Sequence, residues 1–256
     1  MEPYATADQV FQGGLIFARV GAIVMLLPGI GDSYVPPRIR LSFALLLTFA
    51  IWPITAASLP ALPDSLGATV GWVLREAIVG LAIGALLRSL MAAMATAGEI
   101  VSLQTTLGFA QTANPLQAQP GTTLSAFLGL LGVTLLFAAN VHHLFIGGIV
   151  GSYNLIAPLQ PLIVGDFATM AVRTMADAFA LGVQLAAPVI VFAVIFNLAT
   201  GLVGRVMPQF QIFFASAPLS IILGLSVFAL SLGVIGIVFI DRYRALTAIF
   251  TRGAGG

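Results

Sequence analysis

The sequence predicts an all-α protein that is associated with a membrane. Of its 256 residues, 59% are apolar and only 7% are charged, whereas a soluble domain carries about 25% charged residues. So few charges cannot cover the surface around an apolar core of this size. A helix needs about 20 apolar residues to cross a bilayer core of roughly 30 Å. Runs of that kind recur along the whole chain.

The apolar runs define the predicted helices, which lie near 10–31, 41–62, 66–98, 124–165, 178–204 and 212–240. The first run ends in a turn, because Pro36 and Pro37 break a helix and place Asp32 beyond its end. The fourth run exceeds one span, and Pro158 and Pro161 predict that its second part bends or ends early.

Glycine spacing predicts close contacts between helices. Gly80 and Gly84 form one pair four residues apart, and Gly147 and Gly151 form another. Small residues at this spacing allow helices to approach closely in lipid. Helical hairpins kinked at glycine and proline are therefore expected, with no tandem repeat and no soluble domain.

The charges exclude some partners and leave the orientation open. The chain has ten arginines and nine acidic residues, for a net charge of +1. It has no basic stripe of the kind that binds nucleic acid. With six spans, the loops of one side hold Arg38, Arg40, Arg88 and Arg205. Those of the other side hold Arg173, Arg242, Arg244 and Arg252. This balance does not decide the orientation.

The termini and the cysteine count add two expectations. Cysteine is absent, which excludes disulfides, thiolate nucleophiles and cysteine-bound zinc or iron–sulfur clusters. The first residues, MEPYATADQVFQGG, are acidic and lack the basic start of a signal peptide. No cleaved segment is expected.

One short motif resembles an intramembrane aspartyl protease. Gly29-Ile30-Gly31-Asp32 has the G-x-G-D pattern, and Pro60-Ala61-Leu62 supplies the accompanying PAL. That chemistry needs two carboxylates that share a proton and activate water. The only acids upstream of Asp32 are Glu2 and Asp8, near the terminus. We therefore reject proteolysis.

Other catalytic and metal-binding patterns are also missing. No G-x-S-x-G elbow is present, so serine chemistry has no motif. His142 and His143 are adjacent, and neighbouring helical side chains point in different directions, so they do not chelate one metal ion. We expect them to form a polar cap at a bend.

Five charged residues interrupt the apolar runs: Arg19, Arg75, Glu76, Arg88 and Glu99. A charge at mid-membrane costs about 2.5–3.5 kcal/mol, so each is expected to be buried against a partner at a helix or subunit contact. Eleven residues of helix turn through about three full turns, so Arg88 and Glu99 share a face if their helix is unbroken. An ion or proton pathway is the alternative function.

A polar segment divides the charge-free interval between Glu99 and Asp166. The stretch GFAQTANPLQAQPGTT, 108–123, is too polar and too rich in proline for a helix that faces lipid. Such a segment is tolerated where it is buried in protein or lines a cavity. An ordinary surface loop is the alternative.

A series of motifs resembles the flagellar biosynthesis protein FliR family, the R subunit of the type III export gate. Its first hairpin runs F-x-R, P and V-P-x-R-x-R, here Phe17, Arg19, Pro28, Val35, Pro36, Arg38 and Arg40. REAIVGLAIG, AGEIVSLQTTLGFAQTANP, LLFAANVHH, AAPVIVFAVIFNLATGLVGRVMPQ and APLSIILGL follow in the family's order. Two positions depart: Asn114 stands where an acid is usual, which puts a charge-based role of that loop in doubt, and Val141 where glycine is common.

The resemblance implies a subunit of a helical export-gate assembly in the bacterial inner membrane, at the flagellar basal body. Its partners would be the P and Q subunits, other integral export proteins, membrane lipid and the unfolded flagellar subunits that pass through. It implies a P-like part over about 1–175 and a Q-like helical hairpin over about 176–256. No enzymatic activity, catalytic residue, metal or cofactor is expected.

The resemblance also implies two functional segments. A loop in the lumen acts as a plug and corresponds to Gly108, Phe109, Gln111, Asn114, Pro115, Gln117 and Pro120. The turn of the Q-like hairpin contains Arg205, Pro208 and Gln209. Two alternatives stay open: the counterpart in a virulence injectisome and, from another class, a small-molecule permease.

Overall fold

A computed structural model describes residues 6–108, 121–158, 160, 164–207 and 212–251. Within these ranges the chain forms helices and turns and no strand, which confirms the all-α prediction. A single 3-10 turn, Ala56–Ser58, follows the second helix. The helices are α1 (Ala7–Leu26), α2 (Pro37–Thr55), α3 (Leu66–Gln104), α4 (Thr123–Ala138), α5 (Val141–Leu155), α6 (Val164–Val206) and α7 (Ile212–Thr251).

Five of the described helices are long and apolar enough to cross a membrane, namely α1, α2, α3, and the segments Phe167–Val206 of α6 and Ser216–Ala248 of α7. The pair α4 and α5 is bent at its short break and makes a sixth span if it is counted as one. Each predicted apolar run therefore corresponds to a helix or to this bent pair.

The first hairpin begins and ends at residues that the sequence identifies. Thr6 caps α1, since its hydroxyl accepts a hydrogen bond from the backbone N–H of Gln9 and the Gln9 side chain accepts one from the Thr6 N–H. The helix stops before Pro28, and Gly29 follows with a φ of 84°. Pro37 then opens α2, at a position where its missing N–H has no partner to lose.

The break between α4 and α5 depends on Asn140, not on proline. Asn140 has a φ of 58°, in the left-handed region, which asparagine adopts more readily than most residues. The predicted early end is found as well, since α5 stops at Leu155, before Pro158. His142 and His143 lie in the first turn after the break.

The helices form two compact units, and neither is one continuous stretch of chain. Unit 1 contains Met1–Ser89, Phe137–Met175 and Arg242–Gly256, and unit 2 contains Leu90–Leu136 and Ala176–Asp241. The division into a P-like part and a Q-like hairpin follows the chain order of the family and stays a prediction.

In unit 1, α1 packs tightly against α3. A Cβ placed on Gly80 would collide with the backbone carbonyl of Arg19 and lie 2.8 Å from the Cβ of Ala22. A Cβ placed on Gly84 would lie 2.8 Å from the Cβ of Leu26. The expectation that this glycine pair allows close approach is confirmed.

In unit 2, the C-terminal part of α3 (residues 90–104) and the turn that follows it make close contacts with three helices. Gly98 leaves no room for a Cβ against the backbone of Ser125 on α4. A Cβ on Gly182 of α6 would lie 2.9 Å from Thr96, and one on Gly224 of α7 would collide with Thr105 in the turn. This end of α3, which precedes the polar segment, is therefore firmly held.

Candidate functional site

The most deeply buried charge in unit 1 is Arg19, which lies on α1 and is 0% exposed. Its guanidinium makes a two-pronged ion pair with Glu76 of α3: Nε donates to Oε2 at 2.5 Å and Nη2 to Oε1 at 3.1 Å. Glu76 is itself buried. Planar, two-bond pairing of this kind is the strong form of an arginine–carboxylate contact.

The other donors of Arg19 hold the C-terminal end of α5. Nη1 donates to the carbonyl of Ser152 at 3.0 Å and meets its hydroxyl at 3.4 Å, while Nη2 donates to the carbonyl of Ile156 at 3.0 Å. The Ser152 carbonyl also accepts the N–H of Ile156, and a cation at a helix C-terminus is favourable. Arg19 thereby connects α1, α3 and α5, with an acceptor for each of its N–H groups.

An aromatic ring completes the surroundings of Arg19. The Cζ of Arg19 lies 4.2 Å from the centre of the Tyr153 ring, within the range of a cation–π contact. Tyr153 is buried, and its hydroxyl has no hydrogen-bond partner among the described residues. The ring shields the ion pair from one side.

The Asp32 carboxylate organises the turn between α1 and α2. Its Oδ2 accepts a hydrogen bond from the Gly29 N–H at 2.8 Å and one from the Tyr34 hydroxyl at 3.0 Å, and its Oδ1 faces Arg88 Nη2 at 3.2 Å. Desolvation, followed by the hydrogen bond to Asp32, raises the pKa of Tyr34 to about 12, so the hydroxyl remains a donor at physiological pH. These contacts give Asp32 a structural place in the turn.

We expect Asp32→Ala to weaken this turn without abolishing function. The exposed ion pair with Arg88 contributes about 0–1 kcal/mol, and the lost hydrogen bonds about 1 kcal/mol each. The aggregation temperature of the detergent-extracted protein, with its level in the membrane checked by immunoblot, measures the effect. Loss of a proteolytic activity in this variant would contradict the structural role.

The five predicted buried charges have different environments. Arg19 and Glu76 are paired as described above. Arg75 is half-buried, and its Nε has no partner among the described residues. Arg88 differs from the expectation of burial: its side chain is 46% exposed and pairs with Asp32. The reason is its place on α3 opposite the α1–α2 turn, outside the packed core.

Glu99, the fifth of these residues, lies on α3, and its carboxylate faces the N-terminus of α4. Its half-buried carboxylate accepts a hydrogen bond from the Thr122 N–H at 2.8 Å. Thr122 in turn accepts one from the Ser125 N–H, as an N-cap does. A negative charge at a helix N-terminus is favourable. Arg88 and Glu99 lie on one unbroken helix, as expected, but contact different neighbours.

Most of the predicted plug loop lies outside the described residues; only Gly108, which is buried, lies within them. Its other members are Phe109, Gln111, Asn114, Pro115, Gln117 and Pro120. Thr106, just before it, has a φ of 57°, which is rare for a β-branched residue. Gly121, just after it, has a φ of 98° and lies beside Glu99.

The residues on both sides of the segment are thus held within unit 2. Thr105 packs against Gly224, and Glu99 holds Thr122. The chain leaves α3 at Gln104 and is fixed again to the same helix end eighteen residues later. The described residues on either side of the segment therefore lie close together within unit 2.

The predicted turn of the Q-like hairpin is described only in part. Arg205 is exposed in the last turn of α6, where a cation suits the helix C-terminus. Pro208 and Gln209 of the predicted hairpin turn lie outside the described residues.

The rings of His142 and His143 are 4.1 Å apart, and His142 stacks on Phe137. In the described ranges, no group of three or more histidine or acidic side chains could hold a metal ion.

Several residues of the site carry no sequence signal. Ser152 and Ile156 contribute backbone carbonyls, which any residue possesses. Tyr153 is one tyrosine among four, and its contact with Arg19 spans 134 positions of the chain. The pairing of Asp32 with Arg88 was also missed, because the sequence placed Asp32 in a turn without indicating which helix faces that turn.

Comparison with known proteins gives a consistent result. A sequence model of the bacterial export proteins, family 1, matches residues 10–246. The chain is similar to the flagellar biosynthetic protein FliR of Caulobacter vibrioides, with 54% identity over 251 residues, 98% of this chain and 100% of that protein. It is 31% identical to the protein of the same name in Escherichia coli, over 82% of this chain and 80% of that one. For the FliR of Aquifex aeolicus the identity is 29%, over 92% and 91%.

Proposed function

Because this chain belongs to the FliR family of bacterial export proteins, we propose that it is a subunit of the flagellar export gate in the inner membrane. Membership makes it a membrane component of the flagellar export apparatus. The single observation that carries the proposal is the 54% identity with the Caulobacter vibrioides FliR, which extends over that whole protein.

The proposed role is to form part of the conduit through which unfolded flagellar proteins leave the cytoplasm. Long helices with many exposed apolar side chains support it, because such surfaces need lipid or protein neighbours. The proposed neighbours are the P and Q subunits of the gate. As a transport component the chain needs no catalytic group.

Copurification tests the proposed partners. An affinity-tagged chain, expressed with its P and Q subunits and extracted in mild detergent, should retain both through purification and size-exclusion chromatography. A tagged unrelated protein with a similar number of spans is the control for adventitious binding. Recovery of the chain as a stable monomer that transports small solutes in liposomes would favour a permease instead.

We propose further that the segment around 108–120 is the plug. Its uncharged polar residues and prolines suit a lumen more than lipid. The contacts beside it keep its two ends together, since Glu99 holds Thr122 and Thr105 packs against Gly224. An ordinary surface loop would be held at the same two ends. Only a functional measurement therefore distinguishes a plug from a surface loop.

Shortening the segment should open the membrane to small solutes. A variant lacking Gln111–Gln119 removes the filling side chains but leaves Glu99 and Thr122 in place, so we expect assembly to proceed and the closed gate to leak. Phe109→Ala should give a milder leak. Conductance of the membrane and sensitivity of the cells to small toxic solutes measure the effect.

Asn114→Asp is the matched control for that experiment, because members of the family commonly carry an acid at this position. It should leave both assembly and tightness unchanged. If the shortened variant assembles normally and the membrane stays tight, the segment is a surface loop.

The Arg19 network supports a structural role for the buried charges more than an ion pathway. Each N–H group of the guanidinium already has a protein acceptor, so none is left to exchange a proton or to bind a passing ion. The injectisome counterpart remains the alternative within the wider family; the flagellar names of the relatives favour the flagellar system.

A further inference from the structure

One face of α3 within unit 1 is exposed and apolar. We name it the outer stripe, and its members are Gly71, Leu74, Ile78, Leu81 and Ala85. Leu74 is 57% exposed and Ile78 is 55% exposed. The members recur at alternating steps of three and four residues, which places them in one line along the helix. This is the spacing at which membrane and soluble helices pack side by side.

The opposite face of α3 is occupied by α1. The Trp72 ring packs on Phe11 of α1, with the ring centres 6.0 Å apart. One turn further along α3, Glu76 binds Arg19. One more turn along, Gly80 lies against the α1 backbone. Because neighbouring helical residues differ by about 100° in direction, the outer stripe faces away from α1.

Arg75 lies beside the outer stripe and has no carboxylate partner among the described residues. Its Nε is buried without a hydrogen-bond partner there, and it takes part in neither of the described ion pairs. The adjacent Glu76 is no substitute, because Arg19 occupies both of its carboxylate oxygens. A buried guanidinium nitrogen needs an acceptor. That acceptor is missing from the described part of the chain.

The depth of Arg75 in the membrane makes an acceptor necessary. Arg88, which contacts the turn between α1 and α2, follows Arg75 on the same helix after about 20 Å, at 1.5 Å per residue. With that turn at the headgroup level, Arg75 lies inside a hydrocarbon core of roughly 30 Å. A charge at this depth is costly unless it faces protein or water and has a partner. Lipid tails would cover the apolar stripe but offer Arg75 no acceptor.

We propose that the outer stripe binds a membrane-spanning helix of a neighbouring subunit, and that this helix carries an aspartate or glutamate opposite Arg75. The small residues Gly71 and Ala85 allow that helix to approach closely. A carboxylate satisfies the guanidinium both by its charge and by accepting its hydrogen bonds. The inference rests on the proposed function, because the gate assembly supplies the neighbouring subunit.

Photo-crosslinking tests the proposal on the full-length chain in cells that express the whole gate. The photoreactive residue p-benzoylphenylalanine replaces Ile78, and the peptide that it captures is identified by mass spectrometry. We expect an adduct with a membrane helix of another subunit, and that helix should contain an aspartate or glutamate. An adduct with lipid alone, or with another segment of this chain, would overturn the proposal.

The adduct should depend on the charge of Arg75. Arg75→Gln should lower its yield about tenfold or more, since loss of one partner of a buried charge pair weakens an interface strongly. Arg75→Lys keeps the charge and should retain most of the yield. The yields are normalised to the level of each variant in the membrane, measured by immunoblot.

Arg88→Gln is the matched control, because it removes a charge from the same helix whose carboxylate partner, Asp32, lies within this chain. It should leave the adduct yield unchanged. Equal yields from Arg75→Gln and Arg88→Gln would contradict the pairing of Arg75 with the neighbouring helix.

The inference and the proposed function fail in different ways. If the chain copurifies with the P and Q subunits but Ile78 gives no protein adduct, the outer stripe faces lipid and the gate assignment stands. If P and Q are not retained and the adduct forms with an acid-bearing helix of a protein outside the gate, the stripe is a docking surface and the gate assignment is wrong.

Discussion

Arg19→Ala should be among the most damaging single substitutions in this chain, at a cost of about 3–5 kcal/mol in the free energy of unfolding. The reason is the partner that it leaves behind, since Glu76 would remain buried and negative without compensation. The Ile156 carbonyl would also lose its hydrogen bond from Arg19, and the Ser152 carbonyl would keep only the one from the Ile156 N–H. Glu76→Ala should be equally harmful, because it leaves the Arg19 guanidinium buried without its carboxylate partner.

The measurement is the temperature at which half of the detergent-extracted protein aggregates. At about 2–4 °C for each kcal/mol, Arg19→Ala should lower it by roughly 10 °C and reduce the amount of protein in the membrane. Arg19→Lys should restore little, since an ammonium group cannot make the two-pronged pair and reach α5 at once.

Arg88→Ala is the control, because it also breaks an arginine–carboxylate pair, but an exposed one. Its cost should stay below about 1 kcal/mol. If Arg19→Ala were as stable and as well assembled as Arg88→Ala but inactive in export, the Arg19 network would belong to a transport pathway and the structural account of it would be wrong.

Gly80→Ala should be the second large effect, although it adds only one methyl group. The new Cβ would meet the Arg19 backbone carbonyl and the Cβ of Ala22, and neither can move without shifting α1. Overpacking of this kind costs typically about 1–3 kcal/mol, and more where backbone is involved. Separation of α1 from α3 would also strain the Arg19–Glu76 pair.

Gly71→Ala is the matched control on the same helix. Nothing lies within 4 Å of the Cβ that it would add, so it should stabilise α3 by about 0.5–1 kcal/mol through helix propensity. The two variants should therefore shift the aggregation temperature in opposite directions. Equal behaviour of both would show that α1 and α3 are not in close contact at Gly80.

The local features of the fold were predictable because they follow from short patterns. Pro36 and Pro37 limit the first hairpin, and Gly80 with Gly84 marks the close contact between α1 and α3. The bend before α5 was not predicted at its actual position. It results from one asparagine in the left-handed region, and asparagine adopts that conformation at only some of its positions.

The level of each arginine along its helix could not be predicted from the number of spans. A count of six spans placed Arg88 on one side and Arg242 and Arg244 on the other. The helices α3 and α7 have 39 and 40 residues, far more than one span needs, so the count of spans does not tell at which level a charge lies. The hydrogen bond from the Tyr243 hydroxyl to the Leu87 carbonyl joins α7 to α3 within unit 1, and no sequence pattern indicated this contact.

The pairing of Arg19 was partly predictable. The cost of a buried charge required a partner, and Glu76 was among the candidates. The sequence could not decide between Arg75 and Glu76 as the inward residue, because neighbours on a helix differ by about 100° in direction. Packing of α3 on α1 turns Glu76 inward and leaves Arg75 half-buried.

Complementation tests the central claim most directly. The chain is expressed in Caulobacter vibrioides that lacks its own FliR, and the filament protein exported to the medium is measured beside swimming on soft agar. With 54% identity over the whole of that protein, we expect export and swimming to return, and to fail again with Arg19→Ala. If the chain accumulates in the membrane at the normal level and neither export nor swimming returns, the assignment to the export gate is contradicted.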